Sequence, residues 1–170
     1  MSLNKLFIAL GTNIGNWKNN FNQSFIQINK IGYITNFGSV YLSNPYGFKD
    51  QNFFYNTAIE LKTALGVMKL MVELKMIEKK IHKNKLFDNG PRRIDLDIIF
   101  FNKMIIKKKS VSVPHPRAHL RDFVLYPIYD MNPFFMHTLE KKTIKELINN
   151  LEENYIFKKI NRQKDSVLIY

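Results

Sequence analysis

Gly90-Pro91-Arg92-Arg93-Ile94-Asp95-Leu96-Asp97-Ile98-Ile99-Phe100-Phe101 reads as a bend feeding a β-strand. Strand side chains alternate sides, so Asp95 and Asp97 point to one face while Ile94, Leu96 and Ile98 point to the other. The unbroken apolar run from Ile98 to Phe101 then suits a strand that starts at a wet edge and enters a core. Two adjacent carboxylates repel each other unless a cation lies between them, and hard cations such as Mg²⁺ take oxygen ligands of this kind together with phosphates. Arg92 and Arg93 can neutralise phosphate oxygens, and Gly90-Pro91 supplies the bend that brings them in. Alone, an Asp-x-Asp reads more readily as the solvated face of a half-exposed strand, salt-bridged to Arg92 and Arg93.

Upstream, Lys5 to Leu10 is a buried strand ending at Gly11, and the turn through Gly15 is structural, since it lacks the residues of a P-loop or a dinucleotide fingerprint. Asn16 caps a helix from Trp17 to Ile31, with Trp17, Phe21, Phe25 and Ile28 at helical spacing. Tyr33 to Leu42 is a second strand, broken by Ser43-Asn44-Pro45-Tyr46-Gly47. Phe53 to Leu61 is a third, placing Phe54 and Asn56 side by side, an aromatic that can stack on a flat heterocycle beside an amide that can read its edge. Val67 to Ile81 is a helix with Met68, Met71, Val72, Met76 and Ile77 as its apolar positions and Glu73, Lys75 and Glu78 mostly outward. The basic loop from His82 to Asn89 can close over phosphates as a lid.

Downstream, Ile94 to Val113 forms a hairpin with Asn102-Lys103 at its tip, and Lys107, Lys108 and Lys109 mark an exposed edge. Val113-Pro114-His115-Pro116-Arg117 bends into a helix towards Tyr129, gathering His115, Arg121 and Phe123. Thr143 caps a helix to Leu151, and Val167 to Tyr170 is a last strand or packed tail.

The chain has 170 residues, 45% hydrophobic and 24% charged, with a net charge of +12 and no cysteine. Such a composition describes one globular unit, domain 1–170, with a polyanionic partner and neither a disulfide framework nor a thiolate nucleophile. The run Leu6 to Leu10 is too short for a signal-peptide core, and no stretch has the length of a membrane span, which places the chain in the cytoplasm.

Five fragments in order, Leu10-Gly11-Thr12-Asn13-Ile14-Gly15, Pro45-Tyr46-Gly47, Gln51 with Phe54-Tyr55-Asn56, Gly90 to Asp97, and Val113 to Arg117 through Arg121-Asp122-Phe123, resemble the 6-hydroxymethyl-7,8-dihydropterin pyrophosphokinase family. The resemblance implies an α+β fold, a ferredoxin-like sandwich whose mainly antiparallel sheet is covered by helices. It implies transfer of the β,γ-diphosphate of ATP to the pterin hydroxymethyl group, with Mg²⁺, two ions, held by Asp95 and Asp97. Arg92, Asp95, Asp97, Lys83 and Lys85 are the catalytic set it implies. Ser43, Pro45, Tyr46, Phe54, Asn56 and Phe123 would form the pterin site, and Glu78, Arg92, Ile98, His115 and Arg121 the ATP site. The implied partners are ATP and the dihydropterin, with no nucleic acid or membrane, and the chain is expected to be a monomer. Lys83 and Lys85 depart from the arginines usual in the family's lid, and Phe54 stands where tyrosine is common. Two other classes remain open. A metal-dependent nucleotidyltransferase or glycosyltransferase shares the Asp-x-Asp, and an RNA-binding module on the same kind of sheet would suit the charge, although the Lys/Arg-Gly-Phe-Gly-Phe-Val signature is missing.

Overall fold

A computed structural model describes residues 2–82 and 90–160. Its centre is an antiparallel sheet of β1 (Asn4–Thr12), β2 (Tyr33–Phe37), β3 (Val40–Ser43), β4 (Phe54–Thr63), β5 (Asp95–Phe101) and β8 (Ile156–Ile160), in the order β5-β1-β4-β3-β8, with β2 also on β4. If β2 and β3 count as one interrupted strand, β1 to β5 with α1 (Trp17–Ile28) and α2 (Val67–Ile81) make a β-α-β-β-α-β unit, the ferredoxin-like order.

Both sheet faces are covered. Leu6, Ile8 and Leu10 alternate onto one face, where Leu96, Ile98, Ile59 and Leu61 join Phe21, Phe25 and Ile28 of α1 and Val67, Leu70, Leu74 and Ile77 of α2. On the other face, Phe7, Ala58, Ile99 and Phe100 pack against α3 (Asp122–Met131) and α4 (Ile144–Asn149). The apolar run of β5 feeds both cores by alternation, and a bulge sets two successive residues on one face. Ile98 pairs with Ile8 and Phe100 with Phe7, so Ile99 is the extra residue, and it joins Phe100 on the α3/α4 face.

Several expectations change. The strand foreseen from Tyr33 to Leu42 is divided at Gly38, whose N–H donates to the Ala58 carbonyl at 2.8 Å. A Cβ at Gly38 would lie 2.4 Å from the Pro127 carbonyl oxygen, so α3 approaches too closely for any side chain. The helix from Trp17 stops at Ile28 rather than Ile31. In α2 the expected apolar positions divide: Ile77 is core and Met71 packs half-buried against it, whereas Met68, Val72 and Met76 are exposed, because the buried stripe is Val67, Leu70, Leu74 and Ile77. The hairpin foreseen from Ile94 does not form. Ile106–Lys108 (β6) pairs instead with Val111–Val113 (β7) in a separate ribbon, and the lysines lie on its exposed side. Sequence reading missed β8, which adds to β3. Among the described residues no helix is long and apolar enough to cross a membrane. The lid from Lys83 to Asn89 and the tail from Val167 lie outside the described residues.

Candidate active site

The site follows from strand register. Gly11 of β1 faces Asp95 on one side and Asn56 on the other, and Ala9 stands between Asp97 and Ala58. Two small residues on the central strand thus leave an open floor between the acid pair and the Phe54/Asn56 pair. A Cβ at Gly11 would come within 3.4 Å of Asn56 Oδ1 and 3.8 Å of the Phe54 ring. Above this floor lies a cavity of about 270 Å³. It is lined by Asp95, Asp97, Arg92, His115 and Arg121, and by Ser43, Tyr46, Phe54, Asn56 and Phe123.

The outer edge of β5 recruits two further groups. Its Leu96 N–H, which has no neighbouring strand to serve, donates to Glu78 Oε1 of α2 at 2.7 Å. The carbonyl of the bulged Ile99 accepts the His115 N–H at 2.9 Å. Glu78 Oε1 also accepts from Lys75 Nζ at 2.8 Å, and Lys75 lines the cavity. Burial pushes the Glu78 carboxyl up, outweighing the Lys75 ammonium and the Leu96 amide that pull it down. Burial works against the Lys75 ammonium, but the Glu78 charge prevails and raises it.

Arg92 bridges the two halves. Its Nε lies 3.5 Å from Asp95 Oδ2, and its guanidinium carbon stands 5.3 Å from the Phe54 ring centre. Its backbone is clamped by Asn13: Asn13 N–H donates to the Arg92 carbonyl at 3.1 Å and Asn13 Oδ1 accepts the Arg92 N–H at 2.9 Å. The same amide donates to Gln51 Oε1 and to the Asn52 carbonyl. On the far wall Arg121 is buried, 4.4 Å from the Tyr46 ring centre, and its Nε has no hydrogen-bond partner. Burial and the neighbouring Arg117 lower its pKa. Burial, Arg121 and Arg117 push His115 down to about 4. Its Nδ1 accepts the Arg117 N–H at 3.3 Å, so the neutral ring carries its proton on Nε2.

Asn56 Nδ2 donates to Ser43 Oγ at 2.9 Å and to the Phe54 carbonyl at 3.2 Å, which fixes the amide with Oδ1 towards Gly11. Asp122, 1% exposed, holds the aromatic wall. It accepts from Phe123 N at 2.7 Å, Tyr155 N at 2.6 Å and Ile156 N at 2.8 Å. Phe123, Tyr46 and Tyr155 pack as tilted and edge-on rings.

Most of the expected residues therefore converge. Pro45 is buried beside the cavity rather than lining it, and the Ile98 side chain belongs to the α1/α2 core, so only the backbone of Ile98 is left for a ligand. Lys83 and Lys85 lie outside the described residues. Sequence reading gave no role to Lys75, Arg117, Asn13 or Gly11. Lys75 and Glu78 were read as outward, yet their spacing of three residues on a helix was a legible signal. Among the described residues no cluster of three or more His, Cys, Asp or Glu forms a metal cage. Asp95 and Asp97 thus suit a hard cation that takes its remaining ligands from phosphate and water.

Residues 7–133 match the model of the family described as 7,8-dihydro-6-hydroxymethylpterin-pyrophosphokinase. The chain is 31% identical over 141 residues to the 2-amino-4-hydroxy-6-hydroxymethyldihydropteridine pyrophosphokinase of Aquifex aeolicus, covering 83% of this chain and 88% of that one. With the pyrophosphokinase of Bacillus subtilis it shares 35% over 130 residues, 75% of this chain and 78% of the relative. It is 37% identical to the Folic acid synthesis protein FOL1 of Dictyostelium discoideum over 86% of its own length, but spans only 22% of that longer protein. A crystal structure of Plasmodium falciparum HPPK-DHPS superposes with a TM-score of 0.69 at 17% identity, covering 86% of this chain and 45% of that chain, which speaks for the fold alone.

Proposed function

The chain belongs to the 7,8-dihydro-6-hydroxymethylpterin-pyrophosphokinase family, and from that premise we propose how its cavity transfers the β,γ-diphosphate of ATP to the hydroxymethyl oxygen of the dihydropterin, leaving AMP. The observation that carries the reading is the shared floor at Ala9 and Gly11, with an acid pair on one side and an aromatic-amide pair on the other.

The pterin ring lies between Phe54 and Phe123, in a gap that the missing side chain of Gly11 keeps open. Asn56, its Nδ2 engaged by Ser43, offers Oδ1 as the acceptor for ring N–H groups. Tyr46 and the backbone from Ser43 complete the rim. Asp95 and Asp97 would hold Mg²⁺, two ions by the family resemblance, and the donor set fits, since paired carboxylates suit a hard cation that also binds phosphate. When bound, the metal neutralises triphosphate charge and favours loss of the hydroxyl proton.

Arg92 spans from Phe54 to Asp95 and so meets the diphosphate where it passes between the two substrates. Arg121 contributes a second guanidinium, and neutral His115 donates Nε2–H to a phosphate oxygen. A neutral donor there avoids adding another charge beside Arg117 and Arg121. An ATP contact from Ile98 falls to its backbone. Lys83 and Lys85 would add positive charge against the phosphates. Positioning and charge compensation therefore supply the catalysis, with no protein nucleophile. The domain would act as a monomer in the cytoplasm.

The test is incubation with ATP, Mg²⁺ and the reduced hydroxymethylpterin, resolving AMP from ADP. AMP should appear one for one with the pterin diphosphate and only when a divalent cation is present. Formation of ADP, or of pyrophosphate, would overturn the reading in favour of a simple kinase or a nucleotidyltransferase.

A further inference from the structure

Both faces of β4 border a cavity. Phe54 and Asn56 look into the one described above, and by strand alternation Tyr55, with Phe53 just before the strand, serves the other side of the sheet. There Tyr55 stacks on Trp17 at the start of α1, with ring centres 4.8 Å apart and an interplanar angle of 12°. These two rings, together with Phe53 and the carboxamides of Asn13, Gln51 and Asn52, line a second cavity of about 440 Å³.

None of the described residues lining it carries a charged side chain, although the protein has a net charge of +12 and its other cavity holds Lys75, Arg92, Arg117 and Arg121. Lys18 Nζ stands 5.6 Å from the Trp17 ring centre but is not part of the lining. An ionised ligand would lose hydration there with no counter-charge in return, so an uncharged one is favoured. The apolar side of the cavity is unfinished. Phe53 is 54% exposed and its edge-on neighbour Phe157 is 50% exposed, their ring centres 4.9 Å apart, so aromatic surface runs from the cavity to β8 and faces water. Such a surface gains when a flat ring covers it. Asn52 spends one amide hydrogen on the Asn13 carbonyl, at 3.4 Å, which leaves its Oδ1 and second hydrogen to meet the edge of that ring. Asn13 also ties this cavity to the catalytic one, since the residue that binds Gln51 and Asn52 clamps the Arg92 backbone as well.

We propose that this cavity is a second ligand site, for an uncharged planar aromatic ring with a hydrogen-bonding edge, and that its occupancy is coupled to the pterin pocket through β4 and Asn13. The site stands without the pyrophosphokinase reading; only the coupling rests on it.

The probe is nicotinamide, a neutral ring with a carboxamide edge, and nicotinate is its charged counterpart. Trp17 is the only tryptophan of the chain, so its indole N–H gives a single signal in a proton–nitrogen correlation spectrum. With the catalytic cavity filled by the dihydropterin, Mg²⁺ and the α,β-methylene analogue of ATP, nicotinamide should move that signal along a saturable curve. Nicotinate should bind about tenfold more weakly, in spite of the protein's positive charge. Phe53→Ala should weaken nicotinamide binding about fivefold while the melting temperature stays near wild type. Nicotinamide affinity should also differ by about twofold or more between the filled and the empty catalytic cavity. A signal that stays in place, or drifts with concentration without saturating, would overturn the site. Equal binding of nicotinate would overturn its chemistry, and indifference to Phe53→Ala its location. Identical affinity in the filled and empty protein would remove the coupling alone. If the dihydropterin and the ATP analogue fail to bind, the pyrophosphokinase reading falls and the coupling with it, whereas saturable binding at Trp17 would still uphold the site.

Discussion

Asp97 has no packing duty, since its side chain faces the cavity while Leu96 and Ile98 on either side fill the core. Asp97→Ala should therefore lower kcat on the order of a thousandfold, several kcal/mol of transition-state stabilisation, while the melting temperature stays near wild type. Mg²⁺-dependent turnover surviving in that variant would remove Asp97 from the metal site. Gly11 makes the opposite case, a residue that matters for what it lacks. Gly11→Val should weaken pterin binding, because its side chain enters the gap beside Asn56 and Phe54, and should leave nucleotide affinity alone. Equal pterin affinity in a fluorescence titration would show that the ring lies elsewhere. These contributions are unequally visible in a sequence. Asp95 and Asp97 were legible because strand alternation is a local rule, whereas Gly11 gains its meaning from Asn56 and Asp95, which only the register brings alongside.

Among the elements, α3 is the piece that joins the second core to the site, and two aspartates fasten it. Asp122 accepts three backbone N–H groups from α3 and the start of β8. Asp122→Ala should cost about 3 kcal/mol, read as a fall in melting temperature on the order of 10 °C. Asp130, at the other end of α3, accepts from Ser39 N, Tyr41 OH and Lys159 Nζ. Burial raises its pKa, but these bonds outweigh burial and hold it below the usual carboxylate value. With the folded value depressed, the stabilisation is present above the unfolded value and is lost as pH falls through the folded one. Asp130→Asn should thus flatten the acid limb of a thermal-stability profile, and an unchanged limb would show that Asp130 does not titrate there. Helix periodicity gave α2 its limits, Val67 to Ile81, without giving its inner face. Three methionines looked apolar enough to be core, and only the packing partners decide that Leu70 and Leu74 face inwards. The strand β8 was illegible for a related reason: Ile156-Phe157-Lys158-Lys159-Ile160 alternates poorly, and it becomes a strand because β3 offers an edge.

For the whole molecule, part of the net charge of +12 gathers in one cavity, lined by Arg92, Arg117, Arg121 and Lys75. Raising the salt concentration should weaken nucleotide binding markedly and pterin binding little, since screening acts on charge and not on stacking. Equal sensitivity of the two affinities would argue against separate polyanion and ring subsites. The reactive strand is also the outermost one on its side of the sheet, and an uncovered outer strand is a template onto which another chain can add. Here the backbone groups of Leu96 and Ile99 are taken by Glu78 and His115. The residues proposed to serve the nucleotide thus also occupy this outer edge, and substitutions at Glu78 or His115 should show self-association in size-exclusion chromatography as well as lost activity.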